Sequence, residues 1–285
     1  MLVRKQDLCL LLLYYLGFSR TRNMLFRFQR KPVARFVTFH DIPNEADANF
    51  RATLRFLKQN TNVISLDEFF AGRLSCKMMN TVITFDDGYK SWMSNALPAL
   101  RQHGLPATFF VSSGFLGLPR NDEAEFIRSK LKTTRKTSGG LSETDVRKIA
   151  DENFTIGGHT WNHLNLAGIR DMAELRREIL SDKRRLESII GKEIQYFAYP
   201  FGAYRNPDND LIEVLKEVGY RAALTTVPGF NTAGSNPHLL CRDLTGVPTP
   251  LCVFRARVQG TYDGVNFLNN RAKKLLGRWN KARPF

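Results

Sequence analysis

Residues 81–89 read TVITFDDGY, and the fold follows from how that stretch is parsed. Thr81–Phe85 is a β-branched and aromatic run, the composition of a strand buried on both faces. Asp86 and Asp87 end it with two adjacent carboxylates, and Gly88 permits a tight turn before Tyr89. Neighbouring acids repel one another unless a cation divides their roles, one carboxylate binding the ion and the other staying free as a base. The plain structural alternative is a helix N-cap followed by a first-turn acid, since a helical pattern follows over Ser91–Gln102.

Similar short runs lie on either side. Arg35–Phe39, Ala107–Ser112, Phe154–Ile156, Gln195–Tyr199, Arg221–Thr226 and Leu239–Arg242 read as strands, with Asn62–Ile64 a weaker one. Helical patterns alternate with them at Asp47–Lys58, Glu143–Asp151, Met172–Ile190 and Asp210–Val218. Ser142 is placed to cap the second of these, and Gly191 and Gly219 to stop the last two. Seven or eight strands alternating with helices predict a parallel sheet, either open and doubly wound or closed into a barrel. No GxGxxG or GxxxxGK[ST] occurs, so the usual phosphate cradles of the open class are missing. Residues 117–140, polar, basic and Gly-flanked, read as an insertion, a mobile loop with a short helix.

The residues able to do chemistry cluster where strands end. His40-Asp41 follows RFVTF, Asp86-Asp87 follows TVITF, and His159 comes three residues after FTI. Tyr199-Pro200 ends QYFAY, and Arg242-Asp243 ends LLC. In a parallel α/β structure all C-terminal strand ends share one face, which in barrels holds the active site. His159 and His163, in HTWNH, are spaced i, i+4; on a helical turn both imidazoles would reach one ion. One packed and one surface histidine is the structural alternative. An Asp with two His is a three-ligand set that leaves positions open, as a catalytic metal site requires.

TFDDGY, then HTWNH, then YPFG resemble the polysaccharide deacetylases of carbohydrate esterase family four, from about Val37 to Val247. The resemblance implies an α/β fold, a distorted (β/α) barrel with seven or eight parallel strands. It implies one divalent metal ion, most often zinc, held by Asp87, His159 and His163, with Asp86 as catalytic base. Water activated at the metal would attack the acetyl carbonyl of an N-acetylated sugar in a polysaccharide or glycolipid. Two departures stand out. Many members have an Arg before the aromatic-Pro motif, where this chain has Ala198, and many have a C-terminal Leu-x-His, whereas no histidine follows His238. FVTFHDI instead resembles the branch acting on poly-N-acetylglucosamine, whose acid histidine lies on the first strand. His40 then protonates the leaving amine, and Arg242 replaces the missing Arg as a tether for Asp86. Tyr199 and Pro200 fall at the substrate-binding motif, and Trp161, Phe201 and Tyr204 offer aromatic surfaces to sugar rings, although packing explains each equally well. A backbone N–H near Tyr89 or Phe201 would help to stabilise the oxyanion.

The 285 residues, 43% hydrophobic and 24% charged, suffice to bury a core and exclude global disorder, a collagen-like chain or a disulfide scaffold. No run reaches the roughly 18 apolar residues of a spanning helix. The net charge of +15 is carried by the ends: residues 1–35 hold +7 and 271–285 hold +6, leaving +2 for the body. That division argues against a specific nucleic-acid partner and against a metal phosphodiesterase, which would need cations at the barrel mouth. It divides the chain into a basic, apolar segment 1–35, a barrel domain 36–260 and a basic tail 261–285. Leu8–Phe18 is an eleven-residue apolar run preceded by Arg4 and Lys5; no small-x-small cleavage site follows it. Either it lies on an anionic membrane surface, with Phe267–Trp279 beside it, or it packs on the domain. Cys9, Cys76, Cys241 and Cys252 form no CxxC pair, so the chain is expected in a reducing compartment, cytoplasmic and peripherally membrane-associated, with export the alternative. A catalytically inactive, membrane-associated glycan-binding protein on the same scaffold is the second functional reading, and the position of His40 decides it.

Overall fold

The computed structural model describes residues 32–166, 169, 171–202, 209–245 and 249–261, together with 8, 11, 12 and 14–16. Eight strands form one sheet: β1 (Ala34–Phe39), β2 (Asn62–Val63), β3 (Asn80–Phe85), β4 (Thr108–Val111), β5 (Thr155–Gly158), β6 (Tyr196–Ala198), β7 (Ala222–Leu224) and β8 (Asp243–Leu244). Their order is β7-β6-β5-β4-β3-β1-β8, with β2 on β3, and every pairing between named strands is parallel. The helices between them are α1 (Asn44–Asn60), α2 (Leu66–Phe70), α3 (Leu97–His103), α4 (Arg120–Ser129), α5 (Glu143–Asp151), α6 (Met172–Ile190), α7 (Asn209–Glu217) and α8 (Leu251–Val258).

The sheet curls until its two outer strands share one stretch of chain. Leu240 donates its N–H to Ala223 and accepts from Thr225, which places it on β7. Three residues later Asp243 pairs with Val37 of β1, and Thr245 N donates to Thr38 O. The closing stave therefore starts on one edge and ends on the other, which is the distortion of the barrel. The sequence places this strand at Leu239–Arg242, and its ladder with β1 begins just beyond.

Alternation along the strands sorts the core into two clusters. Val37, Phe39, Ile83, Phe85, Phe109 and Phe197 face outwards and pack with helix residues such as Phe50, Leu54, Leu97 and Ile179. Phe36, Val82, Phe110, Tyr196, Ala198, Leu224 and Leu240 form the inner cluster with Leu66 and Phe69 of α2. The short helix α2 sits under it: Phe69 meets Phe36 edge-on, Phe70 stacks on Tyr196, and Asp67 accepts from the Tyr196 hydroxyl at 2.5 Å. Gly157 makes room inside, since a Cβ there would lie 2.4 Å from Phe110 Cδ1.

The insertion is packed rather than mobile. It carries α4, buries Phe126 and Leu131, and is tied back to the FDDGY turn by Lys90 N to Gly139 O (2.8 Å) and Leu141 N to Gly88 O (2.9 Å). Of the N-terminal run, Leu11 and Tyr14 pack against Val253 and Ala256 of α8. Tyr204, Val247 and the stretch Phe267–Trp279 lie outside the described residues. Among the described residues no helix is long and apolar enough to cross a membrane.

Candidate metal centre and its surroundings

Adjacent carboxylates at the end of β3 are sent in different directions by the backbone. Asp86 continues the ladder, its N–H donating to Phe39 O at 2.9 Å. Asp87 then takes a φ of 87°, a conformation rare for a non-glycine residue, and Gly88 follows at 107°. Such strain persists only where the surroundings over-determine it, as they do in functional sites. Both carboxylates are buried. Asp86 Oδ1 accepts from Arg242 Nη1 at 2.6 Å, a charge-assisted bond inside the barrel. Arg242 is aimed by its Nε–H, which donates to Thr225 O at 3.1 Å, while its Nη1 also lies 3.3 Å from Thr84 Oγ1. Asp87 is aimed elsewhere, at the histidines.

Those histidines leave β5 through a strained bend. Thr160 (φ 64°) and His163 (φ 52°) are left-handed, so the expected helical turn is absent and the i, i+4 spacing works through a folded loop. Glu178 of α6 holds this loop, accepting from Asn162 N (2.9 Å) and Asn162 Nδ2 (2.6 Å), and Thr160 Oγ1 accepts from Leu164 N (3.2 Å). Asp182, one turn further along α6, accepts from His159 N (2.9 Å) and Ser113 N (2.8 Å). Burial pushes the Asp182 carboxyl up to about 7, against the two backbone donors that favour its ionised form.

The other face of each imidazole fixes its tautomer. His159 Nδ1 lies 2.7 Å from Ala198 O, and His163 Nδ1 lies 3.1 Å from Lys130 O. A carbonyl only accepts, so each Nδ1 carries the proton and each Nε2 lone pair points at Asp87. Nε2 of His159 and His163 lie 3.4 and 3.2 Å from Asp87 Oδ1, which is buried and accepts no hydrogen bond. The three ligand atoms fall within 4.8 Å of one another. Burial alone would raise the Asp87 carboxyl. The charge of nearby His40 leads the effects that outweigh it and hold the group well below the usual carboxylate range. Three electron-pair donors converging on a buried point, with outer-shell partners fixing both rings, fit a divalent cation. Tyr89 is buried beside the site, its phenol pushed up first by burial and then by Asp87 and Asp41.

His40 stands half-buried at the end of β1, close enough for its charge to act on Asp87. Its loop is docked on a π-helical turn, Trp92–Ala96: Trp92 Nε1 donates to His40 O (2.9 Å), Asn95 Nδ2 to Ile42 O (2.7 Å), and Ile42 N to Ser91 Oγ (2.9 Å). Asp41 accepts from Ser91 Oγ at 2.6 Å and from Ser138 Oγ at 2.8 Å.

Tyr199 and Pro200, read as substrate-binding or orienting residues, lie at the end of β6. Both are buried, and the Tyr199 hydroxyl donates to His238 O (2.9 Å) from within the outer core. Phe201 does line the site, left-handed at φ 59°, its ring centroid 4.7 Å from that of His163. Trp161 is half-buried under the Arg185 guanidinium at 5.0 Å. Sequence reasoning missed Asp182, Glu178, the Lys130 carbonyl and the Ser91–Asp41–Ser138 cluster. Only Asp182 had a signal, an acid on the buried face of an amphipathic helix.

Comparison with known proteins bears on the family and the fold. The family model described as polysaccharide deacetylase matches residues 76–223. YxkH of Bacillus subtilis (strain 168), assigned as a polysaccharide deacetylase, is 25% identical over 161 residues, 56% of this chain and 50% of its own. The poly-beta-1,6-N-acetyl-D-glucosamine N-deacetylase of Staphylococcus aureus (strain MRSA252) is 24% identical over 205 residues, covering 70% of this chain and 67% of its own. In fold, IcaB from Ammonifex degensii superposes with a TM-score of 0.61 at 21% identity, over 80% of this chain and 98% of that one. The chain thus spans half the length of the Bacillus relative.

Proposed function

We propose, for a chain that belongs to the polysaccharide deacetylase family, that it removes acetyl groups from N-acetylated sugars of a polysaccharide or glycolipid by a metal-dependent hydrolysis. The observation that carries the reading is Asp87 Oδ1, buried without a hydrogen bond and faced by two imidazole lone pairs. Asp87, His159 and His163 would hold the ion, zinc by the chemistry of an N₂O donor set. When bound, such an ion polarises the acetyl carbonyl and lowers the pKa of a water towards about 7. Asp86, oriented by Arg242, takes the proton of the attacking water. His40 gives a proton to the departing amine, which leaves poorly without one. Trp92 and Ser91 bond the backbone of its loop, which supports this reading.

Acetate release from a panel of acetylated glycans and lipid-linked sugars, before and after chelation and with zinc restored, tests this. Release that chelation leaves unchanged would sink it. A glycan-binding protein without turnover is the weaker reading, because an ion-ready cluster, a tethered second carboxylate and a nearby imidazole are more than binding needs.

We infer also that the N-terminal segment meets a membrane surface. Leu8, Leu12, Tyr15 and Leu16 are 56–74% exposed, while Leu11 and Tyr14 face the domain. In sequence this apolar stripe is flanked by Arg4 and Lys5 and by Arg20 and Arg22, which suits anionic headgroups and a peripheral, cytoplasmic-side association.

A further inference from the structure

An acid-free basic stretch borders the site. Residues 126–142 carry Arg128, Lys130, Lys132, Arg135 and Lys136 and no Asp or Glu. The near-neutral charge of the body conceals this local imbalance. The stretch is pinned to the site at two points. Lys130 O accepts from His163 Nδ1 (3.1 Å), and Ser138 donates through Oγ (2.8 Å) and N (3.2 Å) to Asp41, next to His40. Residues 131–137 therefore run along the rim between the metal-ligand set and the proposed acid.

Lys132, Arg135 and Lys136 are exposed there, and no described carboxylate pairs with them. Other cations are matched: Lys90 with Asp145 (2.5 Å), Arg185 with Glu143 (2.9 Å), and Arg128, at the start of the stretch, with Glu125. Lys132, left-handed at φ 52°, holds its Nζ 5.0 Å above the Phe201 ring, which in turn meets His163. Asp41 accepts from Ser91 and Ser138, and Glu123 from Gly140 N at 2.9 Å. Three like charges within five residues repel one another, and an anion held among them relieves the repulsion.

We propose that Lys132, Arg135 and Lys136 form a subsite for a phosphate carried by the acetylated sugar. The substrate class is then an N-acetylated sugar phosphate, phosphodiester or pyrophosphate rather than a neutral glycan. The inference rests on the deacetylase reading for the adjoining reaction centre.

Calorimetric titration of N-acetylglucosamine 1-phosphate and of N-acetylglucosamine, with and without chelator, reads the subsite without turnover. The phosphorylated sugar binds more tightly, and K132Q/R135Q/K136Q together weaken it by roughly tenfold, a loss that 0.5 M salt reproduces in the parent protein. Equal affinity for the two sugars would overturn the subsite. So would phosphate binding that vanishes with chelator and survives the triple substitution, since the metal would then be the ligand. Acetate release is measured in parallel from neutral oligomers, a soluble phosphorylated sugar and a lipid-pyrophosphate-linked sugar, which separates lipid-borne from soluble phosphate. Release from all three without preference overturns the subsite and leaves the deacetylase. Selective phosphate-sugar binding with no acetate released from any of them keeps the subsite and removes the deacetylase. Release of inorganic phosphate in place of acetate overturns it, because phosphate would then sit at the reaction centre.

Discussion

Two neighbouring aspartates meet different partners because their backbones differ. Asp86 keeps strand geometry and meets Arg242; Asp87 turns left-handed and meets the histidines. Asp86→Asn is expected to lower the acetate-release rate by about 10²–10⁴-fold while the purified protein still contains its metal. Asp87→Asn and His159→Ala are expected to lose the metal itself, read by elemental analysis of the purified proteins. Near-full activity in Asp86→Asn would end its assignment as base. Asp182 offers a separate test through stability. Its folded value of about 7 lies above the ordinary 3.8, so the folded state binds more protons than the unfolded one. That contribution is present at low pH and lost as pH rises from about 4 through about 7. Asp182→Asn lacks the titration and offers one acceptor oxygen where two backbone N–H groups need accepting. It is expected to destabilise by about 1–3 kcal/mol in acid, with the deficit against the parent shrinking towards neutral pH in urea melts. A deficit independent of pH would remove the raised carboxyl from the account.

At the scale of elements, local chemistry made some segments legible and hid others. The bounds of α5 and α6 match the sequence reading because they are set by residues that cap them: Ser142 accepts from Asp145 N, and Gly191 is left-handed at 67°. The run read as one helix over Ser91–Gln102 begins instead as a π-turn, a departure that periodicity does not register. Tertiary bonds select it, since Trp92, Ser91 and Asn95 all reach the His40–Ile42 loop. The helices α2 and α8 were not read at all. Five residues are too few to show a period, and α8 is apolar on more than one side, with Val253, Phe254, Ala256 and Val258 all buried. Docking of the His40 loop can be probed at Ser91, whose hydroxyl serves both Ile42 N and Asp41. Ser91→Ala is expected to cost about 1–2 kcal/mol in thermal unfolding and to lower kcat with little change in KM, because it loosens the acid's loop rather than the sugar's contacts. A loss confined to stability would make Ser91 a packing residue only.

Across the whole molecule, the sequence carries both the barrel and the candidate site residues on its strand ends. Asp86, Asp87, His159, His40 and Arg242 are candidates as polar residues at strand ends, because a parallel sheet sends all such ends to one face, and His163 is one by its spacing from His159. What the sequence withheld was long-range: which carbonyl fixes which imidazole, and that the insertion supplies one of them through Lys130. Main-chain oxygens carry no residue identity, so no motif encodes them. The N-terminal run is the same kind of problem, because an apolar helix reads alike whether its face meets a domain or a membrane. The structure divides the two faces, Leu11 and Tyr14 towards α8 and Leu8, Leu12, Tyr15 and Leu16 outwards. Full burial of a Leu side chain contributes about 1.5–3 kcal/mol, so exposing several in water is unfavourable unless something covers them. The protein is therefore expected to float with vesicles containing phosphatidylserine and less with neutral ones. Leu12→Glu with Leu16→Glu should abolish flotation while soluble-substrate turnover persists. Flotation unchanged in that double variant, or absent from anionic vesicles in the parent protein, would assign the stripe to a protein partner instead.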